Sequence, residues 1–338
     1  MRAFLAVFLI ALTITLGSLP WVRRAAIAMG FVDAPSQRKA HRTPTPLLGG
    51  TAIFIGAILG VLIIYRGDPQ PTVIGVLLAT TVVALTGLVD DYRPLPAWVK
   101  LLGQFLGFLI LAYFGIRVRL PVPDVVNYAI TLLWLVGITN AINFLDNMDG
   151  LSAGLSAVMS SFILLLALAN GQFLVGALAA GLLGACLGFL RYNFPPAQIF
   201  MGDVGSLFLG FLLAIMGIQL RFPQNSNFVT WMVPVFLFGL PIFDMVLVVS
   251  SRLRRRISPN TAGKDHISHR LVLLGFSPRE SVLILYLFSG VLGMMSLFIT
   301  QATITEAYSI ALVAALAGVA TLIWLEQKWI EREASSEQ

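Results

Sequence analysis

Two carboxylates, Asp90 and Asp91, stand side by side in Leu88-Val89-Asp90-Asp91-Tyr92-Arg93, at the polar end of an apolar run. Adjacent carboxylates repel each other unless they share a proton or a cation, and hard oxygen donors suit Mg²⁺. Taken alone, the pair reads equally well as a solvated helix end. Lys100 and Gln104 follow at a four-residue spacing, which on a helix turns a cation and an amide to the same side. A lysine lying along apolar surface would give the same pattern. Further on, Asn140, Asn143, Asp146 and Asp149 place a side-chain oxygen at every third position just before Gly150. Helix caps account for one or two such residues, not for four.

Two more clusters carry groups suited to phosphate. Phe200-Met201-Gly202-Asp203-Val204-Gly205-Ser206 combines a carboxylate with glycines that let backbone amides approach a ligand closely. Asp265-His266-Ile267-Ser268-His269-Arg270 follows Lys264 and the basic stretch Arg252 to Arg256. Its donors suit phosphate oxygens, while the basic stretch has an ordinary reading as an anchor to anionic headgroups. Asp244 lies within an apolar run, where the cost of a buried acid demands a partner in the bundle.

The elements that must position these groups are membrane helices. Of 338 residues, 58% are hydrophobic and 11% charged, and mean hydropathy is +0.89, which leaves too little polar surface to coat a soluble globule. Eleven apolar runs approach spanning length: 3–19, 51–65, 72–89, 101–116, 125–142, 151–168, 173–190, 206–220, 228–250, 281–300 and 308–325. At about 20 residues per crossing, no room remains for a separate soluble domain. The first run lacks a small-x-small cleavage site and is read as a retained helix. The expected architecture is an all-α, polytopic transmembrane bundle of about 11 spans, one catalytic domain over 1–325, with 326–338 a solvated tail. The lone Cys186 excludes an intramolecular disulfide and a cysteine-based metal cluster.

Charge placement orients the bundle. Of the 22 Lys and Arg residues, only Arg2, Arg66, Arg117, Arg119 and Arg221 fall on one side; the rest lie in the alternate connections. The positive-inside rule then puts the N-terminus outside and the C-terminus in the cytoplasm. This bias accounts for the net charge of +6 without a nucleic-acid partner. Most acids and all three histidines, His41, His266 and His269, fall on the same inner face, which marks it as the site of chemistry.

The motifs D-D-Y-R-P-L with K-L-L-G-Q, N-A-I-N-F-L-D-N-M-D-G-L, F-M-G-D-V-G-S and H-I-S-H-R-L occur in this order, after D-A-P-S-Q-R-K-A-H-R-T-P-T-P-L-L-G-G from Asp33 to Gly50. The chain resembles, from Asp33 to about Leu274, the polyprenyl-phosphate N-acetylhexosamine-1-phosphate transferases, glycosyltransferase family 4. It departs from the family pattern where His266-Ile267-Ser268-His269 replaces His-Ile-His-His and where Asp146-Asn147-Met148-Asp149-Gly150 replaces Asp-Gly-Ile-Asp-Gly. The resemblance implies transfer of a sugar 1-phosphate, GlcNAc-1-phosphate before others, from a UDP-sugar to a polyprenyl phosphate with release of UMP. The implied setting is the cytosolic face of a bacterial cytoplasmic membrane, at the start of a lipid-linked envelope glycan. The implied partners are a UDP-N-acetylhexosamine, a polyprenyl phosphate and membrane lipids; a homodimer is compatible with all of this.

The resemblance also implies roles. Asp90, Asp91, Asp146, Asp149, His266 and His269 would be catalytic, with Asp90 taking the proton of the lipid phosphate. Asp203, Asp91 and Asn143 would hold Mg²⁺, for which Mn²⁺ could substitute. Lys100, Gln104, Asn140, Asn143, Asp149, Phe200 and Arg270 would bind substrate, Asp149 accepting from the uracil imide and Phe200 stacking on its ring. An in-line attack on the β-phosphorus and a covalent aspartyl route both stay open. Two rivals are weighed. Secondary transporters place their acids near the midplane within inverted repeats, whereas here most acids sit at span ends. The muramoyl-pentapeptide branch of the same family carries three consecutive histidines, which this chain lacks.

Overall fold

The computed structural model describes residues 1–33, 45–64, 70–259, 261 and 263–336. His41 and the part of the Asp33 to Gly50 motif over 34–44 lie outside the described residues. The chain divides into two units, Met1–Arg221 and Phe222–Gln338.

The first unit contains helices α1 (Arg2–Ala28), α2 (Gly49–Ile64), α3 (Pro71–Tyr92), α4 (Ala97–Tyr113), α5 (Asp124–Phe144), α6 (Leu151–Ala169), α7 (Phe173–Asn193) and α8 (Gly202–Gln219). One short antiparallel pair, β1 (Val32–Asp33) with β2 (Thr45–Pro46), departs from the all-α expectation. Apolar runs become helices because, without water, each backbone N–H must find its carbonyl within the segment. Pro71 opens α3 at a position where its missing N–H costs nothing. At the centre lies α8, whose Leu207, Phe208, Leu209, Phe211, Leu213 and Ile215 are all fully buried, so it has no lipid-facing side. Against it pack α3, α5 and α2, while α4 leans on α3 and α5. A side chain at Gly87 would collide with the Asp203 backbone, so glycine lets α3 and α8 touch main chain to main chain.

The second unit contains α9 (Asn227–Thr230), α10 (Met232–Leu237), α11 (Gly239–Arg254), α12 (Ile267–Leu273), α13 (Pro278–Ile299) and α14 (Ile304–Ser336). The ninth apolar run is bent by 68° between Asn227–Leu237 and Gly239–Arg254. Pro241 has no N–H for the Leu237 carbonyl, and Gly239 is a weak helix former, so the ladder breaks there. A capping box between Ser277 and Glu280 starts α13. Outward-facing Leu287, Met294, Val313 and Leu316 are each more than half exposed, as lipid-facing positions are.

The chain is a multi-pass membrane protein: among the described residues eight helices are long and apolar enough to cross a membrane, or nine if the bent pair is one span. Two more apolar helices, Gly49–Ile63 and Ala97–Tyr113, fall short of that length. These short and bent segments separate the observed count from the expected eleven. Helix α14 also runs through the 325/326 boundary, where a solvated tail was expected to begin.

Candidate active site

The C-terminal end of α3 meets the N-terminal ends of α4 and α8 and the C-terminal end of α5, and the polar residues of the first unit gather there. Asp90 Oδ1 accepts from the Leu95 N–H at 2.7 Å, which fixes the α3–α4 turn. Its Oδ2 pairs with Lys100 Nζ at 3.2 Å, and the same ammonium lies 2.7 Å from Asp203 Oδ2. Lys100 thus bridges two carboxylates that its absence would leave repelling each other. Asn143 Nδ2 donates to Asp203 Oδ1 at 3.2 Å and to Ser206 Oγ at 2.8 Å. Asp91 turns elsewhere, accepting from the backbone N–H groups of Asp203 at 2.7 Å and Val204 at 3.0 Å.

Asp146 sits half-buried in the connection after α5. Burial, reinforced by the charges of Asp203, Asp91 and Asp149, pushes its carboxyl up to about 8. Asp149 Oδ2 accepts from the Ala197 N–H at 2.8 Å, and Asn193 ties the Gly150 N–H (2.9 Å) to the Ile199 carbonyl (2.9 Å). These bonds fasten the Asp149 turn to the stretch that carries Phe200, whose own N–H donates to Pro46 O at 2.9 Å. Asn140 and Gln104 meet: Asn140 Nδ2 donates to Gln104 Oε1 at 2.9 Å, and Gln104 is fully buried. This pair braces α4 against α5, and Gln104 Nε2 has no partner among the described residues.

The second unit holds the histidine motif. Asp244, fully buried, accepts from His266 Nδ1–H at 2.8 Å and from the Ile267 N–H at 2.7 Å. Asp265 takes a bidentate pair of bonds from Arg252 (3.0 and 2.8 Å) and another from Arg255. Burial works to raise its carboxyl, but the two guanidiniums win and hold it below the usual range. Arg270, 2% exposed, donates to the Asp265 carbonyl (2.9 Å), the Leu325 carbonyl (3.0 Å) and Glu326 Oε2 (2.8 Å), and lies over the Trp329 ring. These bonds clamp α12 to α14 and use Nε and Nη1 of Arg270, while its Nη2 has no partner among the described residues. His269 is pushed down to about 4 by burial and then by the nearby His266 and Lys264, so it is neutral at pH 7.

The structure thus brings Asp90, Asp91, Lys100, Asn143 and Asp203 together in one unit, with Asp146, Asp149 and Phe200 on the adjoining connections, and His266, His269 and Arg270 together in the other. Sequence reasoning passed over Asn193, Ser206 and Glu326. Ser206 stood within a quoted motif, whereas the others carried no local signal.

Helices of spanning length carry carboxylates, amides and a lysine gathered at their ends, the mark of a polar site in a multi-pass membrane protein. Residues 73–221 match the family model described as glycosyl transferase family 4. The chain is 37% identical over 308 residues to a probable undecaprenyl-phosphate N-acetylglucosaminyl 1-phosphate transferase of Bacillus subtilis, covering 88% of this chain and 85% of that one. It is 32% identical over 329 residues to a decaprenyl-phosphate N-acetylglucosaminephosphotransferase of Mycolicibacterium smegmatis, with 87% and 81% covered. A phospho-N-acetylmuramoyl-pentapeptide-transferase of Symbiobacterium thermophilum is 33% identical over 298 residues, with 80% and 86% covered. The chain belongs to glycosyl transferase family 4, the polyprenyl-phosphate N-acetylhexosamine-1-phosphate transferases.

Proposed function

We propose that the chain transfers N-acetylglucosamine 1-phosphate, or a close N-acetylhexosamine analogue, from its UDP-sugar to a polyprenyl phosphate. A lipid phosphate oxygen forms a bond to the β-phosphorus, the bond from that phosphorus to the bridging oxygen breaks, and the electron pair leaves with UMP. The names of the Bacillus and Mycolicibacterium relatives support this donor and acceptor. The carrying observation is Lys100 bridging Asp90 and Asp203 beside Asn143, a charged cluster at the end of apolar helices.

Two polyanions must meet for this reaction, so neutralising charge is the first task of the site. Among the described residues no group of three or more His, Cys, Asp or Glu side chains forms a metal cage. The oxygen donors of Asp203, Asp90 and Asn143 suit Mg²⁺, which is held through one or two carboxylates and completes its shell with water and substrate phosphates. Asp203 would hold it, with Asp90 and the Asn143 amide oxygen beside it. When bound, the cation supplies Lewis-acid polarisation of phosphoryl oxygens and charge neutralisation. Lys100 follows the phosphates, its ammonium already balanced between Asp90 and Asp203. Asp90 receives the proton of the lipid phosphate, a small task because the second pKa of a phosphate is about 6. Asp149 and Phe200 face the nucleotide. The apolar outer faces of the helices suit the isoprenoid tail.

The basic loops support a site open to the cytosol of a bacterial inner membrane. The test is to supply detergent-purified protein with polyprenyl phosphate and a panel of UDP-sugars, with and without Mg²⁺, and to follow UMP. Release that requires both the lipid and an N-acetylhexosamine donor is expected. UMP formation without the lipid acceptor, or none with any donor, would overturn the reading.

A further inference from the structure

Helix α8 carries no side-chain cap of its own, since its N-cap position is Met201. The first amides of such a helix need acceptors from elsewhere. Asp91 supplies them from α3, one carboxylate oxygen to the Asp203 N–H and the other to the Val204 N–H. The fit leaves no slack: Gly202 has φ +72°, and a Cβ there would lie 2.5 Å from Asp91 Oδ2. One turn earlier on α3, Gly87 admits the Asp203 backbone itself. Asp90, the adjacent residue, is engaged quite differently, with the Leu95 amide and Lys100.

We propose that Asp91 is a positioning residue rather than a ligand of the cation: it holds the first turn of α8 so that Asp203 presents its carboxylate to Lys100 and the cation. The neighbouring acids thus divide the work, Asp90 facing the reacting groups and Asp91 fixing the scaffold of the residue that binds the metal. This rests on the reading in which Asp203 holds a divalent cation.

Three variants separate the possibilities: Asp91→Asn, Gly202→Ala and Asp203→Asn, each purified in detergent beside the parent. Mn²⁺ binding is read by electron paramagnetic resonance without substrates, amide hydrogen exchange over 202–206 by mass spectrometry, and UMP release as a function of Mn²⁺. Asp91→Asn keeps one acceptor but turns an amide N–H toward the second backbone N–H. Faster exchange over 202–206 is expected, with Mn²⁺ affinity about tenfold weaker and turnover partly recovered at saturating Mn²⁺. Gly202→Ala removes no carboxylate but pushes that of Asp91 off the α8 amides, and should reproduce this pattern. Asp203→Asn should not recover at any Mn²⁺ concentration. Loss of Mn²⁺ binding in Asp91→Asn as complete as in Asp203→Asn would make Asp91 a ligand and overturn the proposal. Unchanged exchange and affinity with lost turnover would overturn it too, by making Asp91 act on the reacting atoms. A parent that binds no Mn²⁺ overturns the cation reading beneath the proposal, and is recognised before any variant is compared.

Discussion

Replacing Asp244 by asparagine removes one charge from the second unit while leaving its volume unchanged. In the parent, this fully buried carboxylate accepts from His266 Nδ1–H at 2.8 Å and from the Ile267 N–H at 2.7 Å. The asparagine oxygen can still serve Ile267. Its amide nitrogen then faces the ring, and His266 keeps the contact only by moving its proton to Nε2. A hydrogen bond to a charged group contributes about 1.5–3 kcal/mol, so with the catalytic role that the family resemblance implies for His266, kcat/KM for the UDP-sugar should fall about 10- to 150-fold. Unfolding temperature should fall less than in Asp244→Ala, because packing and the bond to the Ile267 N–H are kept. Asp244→Ala instead leaves two buried donors without an acceptor and should cost about 3 kcal/mol or more of stability. The assay pairs UMP release with thermal unfolding in the same detergent. Parental activity in Asp244→Asn would refute the reasoning. So would a stability loss in Asp244→Asn as large as in Asp244→Ala, which would make the residue purely structural.

Other expectations follow from the same geometry. Asp203→Asn should remove most of the activity and excess EDTA should abolish it in the parent, since the amide lacks the charge that a hard cation needs; full turnover in EDTA would exclude a metal role. His269 has its proton affinity depressed from the ordinary 6.5 to about 4, so between those values the unfolded chain binds a proton that the folded one refuses. Its contribution to stability is complete above about pH 6.5 and is lost as pH falls toward about 4. His269→Gln should flatten the fall in unfolding temperature over that window, and a fall as steep as the parent's would count against it. A cysteine placed at Ser258 in a Cys186→Ala background should resist impermeant thiol reagents in intact cells, and labelling from outside would reverse the orientation. In competition for one polyprenyl phosphate, UDP-N-acetylglucosamine should outcompete UDP-MurNAc-pentapeptide, the lipid products being separated by mass; a dominant pentapeptide product would place the chain in the other branch of its family.

Much of the first cluster was legible because its chemistry is written in residue types that apolar packing cannot use. The three-residue spacing through Asn143, Asp146 and Asp149 brought oxygen donors to one helix end, as expected. That Asp90 turns to Leu95 and Lys100 while Asp91 turns to the first amides of α8 was not legible, since neighbouring identical residues differ only in where the helix rotation points them. The hydrogen bond between Gln104 and Asn140 was not legible for a related reason: sequence spacing does not show which polar residues of two helices meet. Sequence could not show that Glu326, Leu325 and Trp329 fold back onto Arg270. The hydropathy drop after Leu325 marks no break in the helix: α14 continues through it, with Glu326 bonded to Arg254 and Arg270. The bend at Gly239 was latent in Gly239 and Pro241, whereas the shortness of α2 and α4 was masked by the apolar residues that flank them.

The central claim is that the β-phosphate travels with the sugar. UDP-N-acetylglucosamine labelled with ³²P at either the α or the β position, given to the purified protein with polyprenyl phosphate, tests this directly. The β-label should enter the organic phase with the lipid and the α-label should remain in water as UMP. Retention of the β-label in water as UDP, with unlabelled sugar on the lipid, would mean simple glycosyl transfer and would contradict it.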